Sequence, residues 1–256
     1  MGGIVRNRMQ GLRSWLAPAG VVLMLGVLVP PGGAVARQYV FAQAVQFAVL
    51  AFVVPALLVL GAPWRFAGPL AGRLTVARSH RLSGARACLV LAGFVGVALG
   101  WRVPVVVNAL VRYPGLTVIE AVTLVGAGCA LWVELVESPP MLPRISRPQR
   151  AAFAALPMWA IWASAYIMGF SRTAWFTALA HPAGHGLGTV ADQEIATALL
   201  WAIPGLCFVP VVYVALITWL RDSADPDDEL RAVAGAGRES EAARPRPPRG
   251  WRLPSA

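Results

Sequence analysis

Two histidines in the second half of the chain have the spacing of a small metal site. His181 and His185 stand four residues apart in the stretch HPAGHGLG. On a helix this spacing would place both imidazoles on one face, and imidazole is a good ligand for copper and zinc. Pro182, Gly184 and Gly186 instead predict a loop. The pattern favours two solvated loop histidines, and weak capture of copper or zinc is the alternative.

Three polar residues, Asp192, Gln193 and Glu194, open a long apolar stretch. Asp192 stands where an N-cap residue would stand and Glu194 falls in the first turn. There carboxylates meet unpaired N–H groups and the positive end of the helix dipole. Capping does not require Gln193. We therefore expect Asp192 and Glu194 to cap the last membrane helix, and the triplet to present a polar outer surface to a partner protein.

Two charged residues fall inside apolar runs, Arg102 in the third run and Glu120 in the fourth. In adjacent antiparallel helices the two side chains would lie at similar depth, roughly 7 to 10 Å inward from the outer ends. A lone arginine in hydrocarbon is costly, so pairing with Glu120 would neutralise both charges. We therefore predict an intramembrane ion pair. Snorkelling of Arg102 to the outer interface is the alternative.

Patterns typical of catalysis are missing from the sequence. There is no nucleophile elbow, phosphate-binding glycine loop or HExxH motif. Cys88, Cys129 and Cys207 are far apart within or at the ends of apolar runs, so they are interpreted as small packing residues. The sequence therefore predicts a protein that is not an enzyme.

The composition is that of an integral membrane protein. Hydrophobic residues make up 57% of the chain and charged residues 13%, and the mean hydropathy is +0.63. The net charge of +10 comes from arginine without any lysine. These arginines lie between apolar runs, where membrane loops carry positive charge, so the sequence does not predict nucleic-acid binding.

Six apolar runs are long enough to span about 30 Å of hydrocarbon, which predicts an all-α, polytopic transmembrane helix bundle. The first also fits a cleavable signal peptide that would end at Ala36. We expect a cytoplasmic N-terminal segment over 1–14, a transmembrane domain over 15–220 and a disordered cytoplasmic tail over 221–256. The runs cover residues 15–36, 39–62, 87–110, 116–137, 151–171 and 192–220.

The distribution of arginine predicts the orientation. Arginines are concentrated in the N-terminal segment, in the connections 63–86 and 138–150, and in the tail. The opposite side of the membrane would carry only Arg37, Arg112 and Arg172. Since positive charge accumulates in cytoplasmic loops, both termini are expected in the cytoplasm.

Three stretches of the chain share motifs with a single protein family. The phrase ADQEIATALLWAIPG at 191–205 is similar to a signature near the last core helix of that family. The run PALLVLGAP at 55–63 is nearly identical to a second-helix motif, and residues 100–135 follow a third segment. Together these stretches resemble the CtaG-like cytochrome c oxidase assembly factors, and the resemblance covers most of residues 20–220. In the first phrase Glu194 and Thr197 depart from the signature, and the matching residues are Asp192, Gln193, Ala196, Trp201, Pro204 and Gly205.

The departures from the family motifs fall on histidines. Where those motifs place histidine, this chain has Gln43, Phe47, Arg102, Thr117 and Ala121. The resemblance implies a role in maturing the copper site of a haem-copper oxidase. Phe, Ala and Arg offer copper no ligand, so the substitutions argue against copper binding within the membrane.

The expected function follows from this resemblance. It implies an accessory factor for cytochrome c oxidase assembly in the bacterial plasma membrane, with the lipid bilayer and oxidase subunits as partners and copper as a possible cofactor. One alternative is a small membrane transporter or channel component. Another is a structural paralogue that binds oxidase subunits without metal chemistry, which the missing histidines favour.

Overall fold

The computed structural model describes residues 2–62, 64, 82–180 and 187–223, with side chains from residue 13 to residue 222 within those ranges. This part of the chain is helical and contains no β-strand, only an isolated bridge between Ser138 and Met141. The all-α prediction is confirmed. The helices are α1 (Gly2–Leu28), α2 (Gly32–Ala36), α3 (Val40–Ala48), α4 (Val54–Gly61), α5 (Gly84–Trp101), α6 (Pro104–Arg112), α7 (Leu116–Leu135), α8 (Arg147–Phe170) and α9 (Thr189–Ser223).

Six spans were predicted, and within the described residues five helical stretches are long and apolar enough to cross a membrane. At the first predicted span, 15–36, the described apolar helix is Arg13–Leu28, and the separate helix α2 covers Gly32–Ala36. The first helix packs closely against α4, since Gly61 lies directly against Ala17. The five stretches are Val40–Gly61, Gly84–Trp101, Leu116–Leu135, Arg147–Phe170 and Thr189–Asp222.

The chain divides into two compact units, Met1–Leu216 and Ile217–Ala256. The first unit contains α1 to α8 and most of α9. The described part of the second unit is the C-terminal end of α9, up to Ser223. The tail predicted to be disordered otherwise lies outside the described residues.

The third predicted span, at 87–110, is two helices rather than one. Helix α5 ends at Trp101 and α6 begins at Pro104, with Val103 in an extended conformation between them. Proline has no N–H group for the helical ladder but fits the first turn of a new helix, so it marks the start of α6. The break places Arg102 at the junction of two helices.

The second span contains a π-helical turn, Val49–Val53, between α3 and α4. Pro55, the second residue of α4, cannot donate the backbone hydrogen bond that would continue a regular α-helix. Gly128 of α7 faces this region: a Cβ atom added there would lie 2.5 Å from Pro55 Cγ and 2.8 Å from Ala51 O. The absence of a side chain at Gly128 therefore lets α7 approach α4 closely.

Replacing Gly128 with Ala should destabilise the protein by about 1–3 kcal/mol, because the new methyl group forces α7 away from backbone and proline atoms that cannot move aside. The free energy of unfolding in detergent measures this change. Gly126→Ala is the matched control, since a Cβ atom there would meet nothing within 4 Å. Equal stability of the two variants would show that the close approach at Gly128 is not required.

An aromatic core holds the centre of the first unit. The Phe52 ring contacts Phe47, Phe94 and Phe208 edge-on, with centroid distances of 6.0, 6.0 and 5.6 Å. Trp132 stacks on Phe208 at 5.4 Å. Edge-to-face and stacked contacts of this kind stabilise packing beyond the burial of area alone. The cluster joins the second span to α5, α7 and α9, and Phe47 extends it toward Arg102.

The connection after α7 is anchored by a buried ion pair. Glu134 is fully buried and accepts hydrogen bonds from Arg144 Nε at 3.0 Å, Nη2 at 2.7 Å and the backbone N–H at 2.9 Å. In the same connection, Ser138 Oγ donates to Val59 O at 2.6 Å, and Trp64 Nε1 donates to Ser138 O at 3.3 Å. These bonds fix the connection against the end of the second span and give the buried Glu134 charge a partner.

Candidate functional site

The break between α5 and α6 turns Arg102 into the helix bundle. Its backbone N–H caps α5 by donating to Leu99 O at 3.0 Å. The residue is only 6% exposed, so its side chain does not snorkel to the interface. A guanidinium buried this deeply requires partners for its N–H groups and its charge.

Four side chains surround the guanidinium of Arg102. Nη1 donates a hydrogen bond to Gln43 Oε1, and Nη2 contacts Met168 Sδ at 3.7 Å. The Phe47 and Phe176 rings lie 5.3 and 5.1 Å from its central carbon, in cation–π contact. We call Arg102 with these four residues the arginine centre. It connects α3, the α5–α6 junction, α8 and the segment that follows α8.

Glu120 is buried near the arginine centre but is not one of its direct partners. The residue is 1% exposed, and its Oε1 atom has no hydrogen-bond partner in the described part of the chain. No salt bridge within 4.0 Å joins Arg102 and Glu120 among the described residues. In place of the predicted direct ion pair, the guanidinium donates a hydrogen bond to Gln43.

Asp192 caps the start of a different helix, α3. It lies in the first turn of α9 and is fully buried. Its two carboxylate oxygens accept hydrogen bonds from the backbone N–H groups of Val40 and Phe41, both at 2.8 Å. These groups open α3, where the first N–H groups have no helical partner. Asp192 therefore ties the start of α9 to the start of the second span.

Gln193 plays a matching role at the end of α8. Its Nε2 group donates to Met168 O at 2.8 Å and Ser171 O at 3.1 Å, and its Oε1 atom accepts from the Trp175 N–H at 3.1 Å. The residue is 3% exposed. The backbone of Met168 is thus fixed by Gln193 while its side chain contacts Arg102, so the two polar features support each other.

Only Glu194 of the triplet is exposed. The expectation that all three residues present an outer surface to a partner is wrong for Asp192 and Gln193, because both side chains are buried and make hydrogen bonds within the bundle. Glu194 instead lines an open pocket between α8 and α9.

Comparison with known protein families gives a match that covers the helical region as a whole. A model of the family described as cytochrome c oxidase caa3 assembly factor (Caa3_CtaG) matches residues 3–222. The chain belongs to this family. The match confirms the resemblance read from the three motifs and covers both the arginine centre and the Asp192–Gln193 contacts. Comparisons with curated proteins and with solved structures found no match.

The arginine centre brings together three of the five positions at which the resemblance to the family motifs implies histidine. Gln43, Phe47 and Arg102 are in mutual contact through the guanidinium. Of the other two positions, Ala121 is buried in the same core and Thr117 is half-buried. The positions predicted from the motifs therefore fall largely at one place in the fold.

Copper does not fit this interior. The donor set is a guanidinium, an amide, a thioether and two phenyl rings, without imidazole or thiolate, and the guanidinium is itself a cation. Within the ranges that the structure describes, no three His, Cys, Asp or Glu side chains come together to hold a metal. His181 and His185 lie outside those ranges, so capture of copper or zinc by the loop stays a prediction.

Sequence reasoning missed Met168 and Phe176. Met168 lies near the end of an apolar helix, where methionine is ordinary packing, and Phe176 lies in the connection before the short 3₁₀ helix Thr177–Leu179. No local spacing distinguishes either residue. The only signal was indirect: a buried arginine needs aromatic faces and acceptors from other segments.

Proposed function

We propose that this Caa3_CtaG protein is a non-enzymatic accessory factor that supports cytochrome c oxidase assembly by binding oxidase subunits, without holding copper inside its helix bundle. The family supports the assembly role. The position of Arg102 is the observation that supports a function without bound copper. Its guanidinium is in contact with Gln43 and Phe47 and supplies a fixed positive charge within the bundle.

The physical argument rests on charge and ligand chemistry. A guanidinium stays protonated and repels a metal cation, and the repulsion is strong at short range in a low-dielectric interior. Met168 is the one soft ligand at the centre, and its sulfur already contacts Arg102. A copper ion would have to displace the arginine from its aromatic and amide partners before any ligand became free.

The arginine centre then serves as a cross-link. It joins residues from four separate segments. In addition, Asp192 ties the start of α9 to the start of α3, and Gln193 ties it to the end of α8. A bundle fixed in this way presents its loops in a defined arrangement, as a binding partner requires. We also propose a plasma-membrane location with both termini cytoplasmic, supported by the arginine distribution.

Copper titration of the purified full-length protein tests the metal part of this proposal. We expect no tight, stoichiometric copper, and any weak binding should disappear in the His181→Ala/His185→Ala variant. Ordering a glycine-rich loop around two imidazoles costs conformational entropy and lowers affinity. His80→Ala, the third histidine of the chain, is the control and should change nothing. Tight copper that survives the double substitution would contradict the proposal.

A further inference from the structure

An open pocket of about 360 Å³ lies between α8 and α9, at the end of the bundle where α8 ends and α9 begins. Its lining combines three aromatic rings with one carboxylate and is otherwise made of small residues. The rings belong to Tyr166, Phe170 and Trp201, and the carboxylate to Glu194. Gly169 and Thr197 form part of the remaining surface.

The pocket walls are held in place by packing behind them. A Cβ atom at Gly169 would lie 2.9 Å from Thr197 Cγ2, so α8 and α9 approach closely there. Trp162 stacks on Trp201 at a centroid distance of 4.9 Å and donates a hydrogen bond to its carbonyl oxygen at 2.9 Å. The outer face of the Trp201 ring is therefore presented in a fixed orientation, which lowers the entropic cost of binding.

The chemistry of the lining suits an organic ammonium ion. Tyr166 and Phe170 are 54% and 71% exposed, with ring centroids 4.3 Å apart, so their faces are available. The Glu194 side chain is exposed and makes no hydrogen bond or ion pair with any residue that the structure describes. Aromatic rings around a carboxylate are the arrangement that recognises ammonium groups through cation–π and charge attraction.

The position of the pocket along the helices indicates a lipid rather than a soluble amine. Helix α8 has 24 residues and is therefore about 36 Å long, slightly longer than the roughly 30 Å hydrocarbon layer. Phe170 ends this helix, and Glu194 lies in the second turn of α9, so both fall near the boundary between hydrocarbon and headgroups. The neighbouring Ile167 and Ile195 are 58% and 42% exposed, as expected for a surface that faces lipid.

We propose that this pocket binds the headgroup of a phosphatidylethanolamine molecule. The ammonium group lies among the aromatic rings and against the Glu194 carboxylate. Arg172 is exposed and follows Phe170 by two residues in the chain, and we assign it to the phosphate. An acid in the pocket wall and a base two residues beyond the end of α8 complement a zwitterionic headgroup, whereas a lysine side chain of a protein partner would engage only the acid. The site is independent of the proposed role in oxidase assembly.

Native mass spectrometry of the full-length protein tests this site. The protein is reconstituted in nanodiscs of equal parts phosphatidylethanolamine and phosphatidylglycerol and then released. We expect preferential retention of phosphatidylethanolamine. Glu194→Gln should reduce that retention about fivefold, because it removes the charge without changing the shape of the pocket. Ala198→Leu, which fills the pocket from an exposed position, should reduce it similarly.

Glu137→Gln is the control, since Glu137 is an exposed acid outside the pocket, paired with Arg150. It should leave lipid retention unchanged. Equal retention of the two lipids by the unmodified protein, or unchanged retention in Glu194→Gln, would overturn the proposal. It would also be overturned if Glu194→Gln reduced copurification of an oxidase subunit while lipid retention stayed the same, since the pocket would then hold a basic side chain of that partner.

Discussion

Replacing Asp192 with Ala is expected to destabilise the helix bundle by about 3 kcal/mol. The carboxylate is fully buried and accepts the backbone N–H groups of Val40 and Phe41 at 2.8 Å each. Its loss would leave two buried donors without acceptors at the start of α3, and each unsatisfied donor costs roughly 1–3 kcal/mol. Unfolding of the purified protein in mixed detergent micelles measures the change in free energy.

Two variants make the Asp192 result specific. Asp192→Asn keeps one carbonyl acceptor and should lose about half as much stability, since one of the two N–H groups remains paired. Glu194→Ala changes an exposed acid two residues away and should alter stability by less than about 0.5 kcal/mol. If Asp192→Ala were as mild as Glu194→Ala, the capping of α3 by Asp192 would be excluded.

Replacing Arg102 with Ala should cost about 3–5 kcal/mol. The change removes a buried cation from between two phenyl rings and leaves the Gln43 amide and the Glu120 carboxylate buried without it. Breaking a buried charged network by removing one member is strongly destabilising for this reason. The yield of folded protein and its free energy of unfolding both report the effect.

Double-mutant cycles separate the two neighbours of Arg102. The Gln43→Ala cycle should give a coupling energy of about 1–2 kcal/mol, because the amide is in direct contact with the guanidinium. Glu120→Ala should recover part of the stability lost in Arg102→Ala, since no unpaired buried charge then remains. Simple additivity in both cycles would contradict the arginine centre as described.

Hydropathy was sufficient to predict most of the membrane architecture. Five of the expected spans are present because each contains an apolar helical stretch of adequate length. The first run was predicted to reach residue 36, whereas its helix ends at Leu28 and a separate short helix, Gly32–Ala36, follows. Length and apolarity are local properties, so they can be read from the sequence without knowledge of the fold.

The contacts within the candidate site could not be predicted in the same way. Asp192 was expected to cap its own helix, because capping is normally a local contact. In the structure its carboxylate oxygens accept hydrogen bonds from the first N–H groups of α3, a helix about 150 positions earlier in the chain. Similarly, Arg102 was placed beside Glu120 by treating residues 87–110 as one straight helix. The break before Pro104 redirects the arginine toward Gln43, and only the packing of distant segments determines that outcome.

Oxidase activity in membranes of a strain that lacks this gene tests the central claim most directly. Loss of the protein should lower cytochrome c oxidase activity, and added copper should not restore it. Re-expression of the unmodified protein, or of the His181→Ala/His185→Ala variant, should restore activity, because assembly then depends on the helix bundle rather than on bound metal. Recovery of activity in the deletion strain on added copper alone would contradict the claim and identify copper delivery as the missing function.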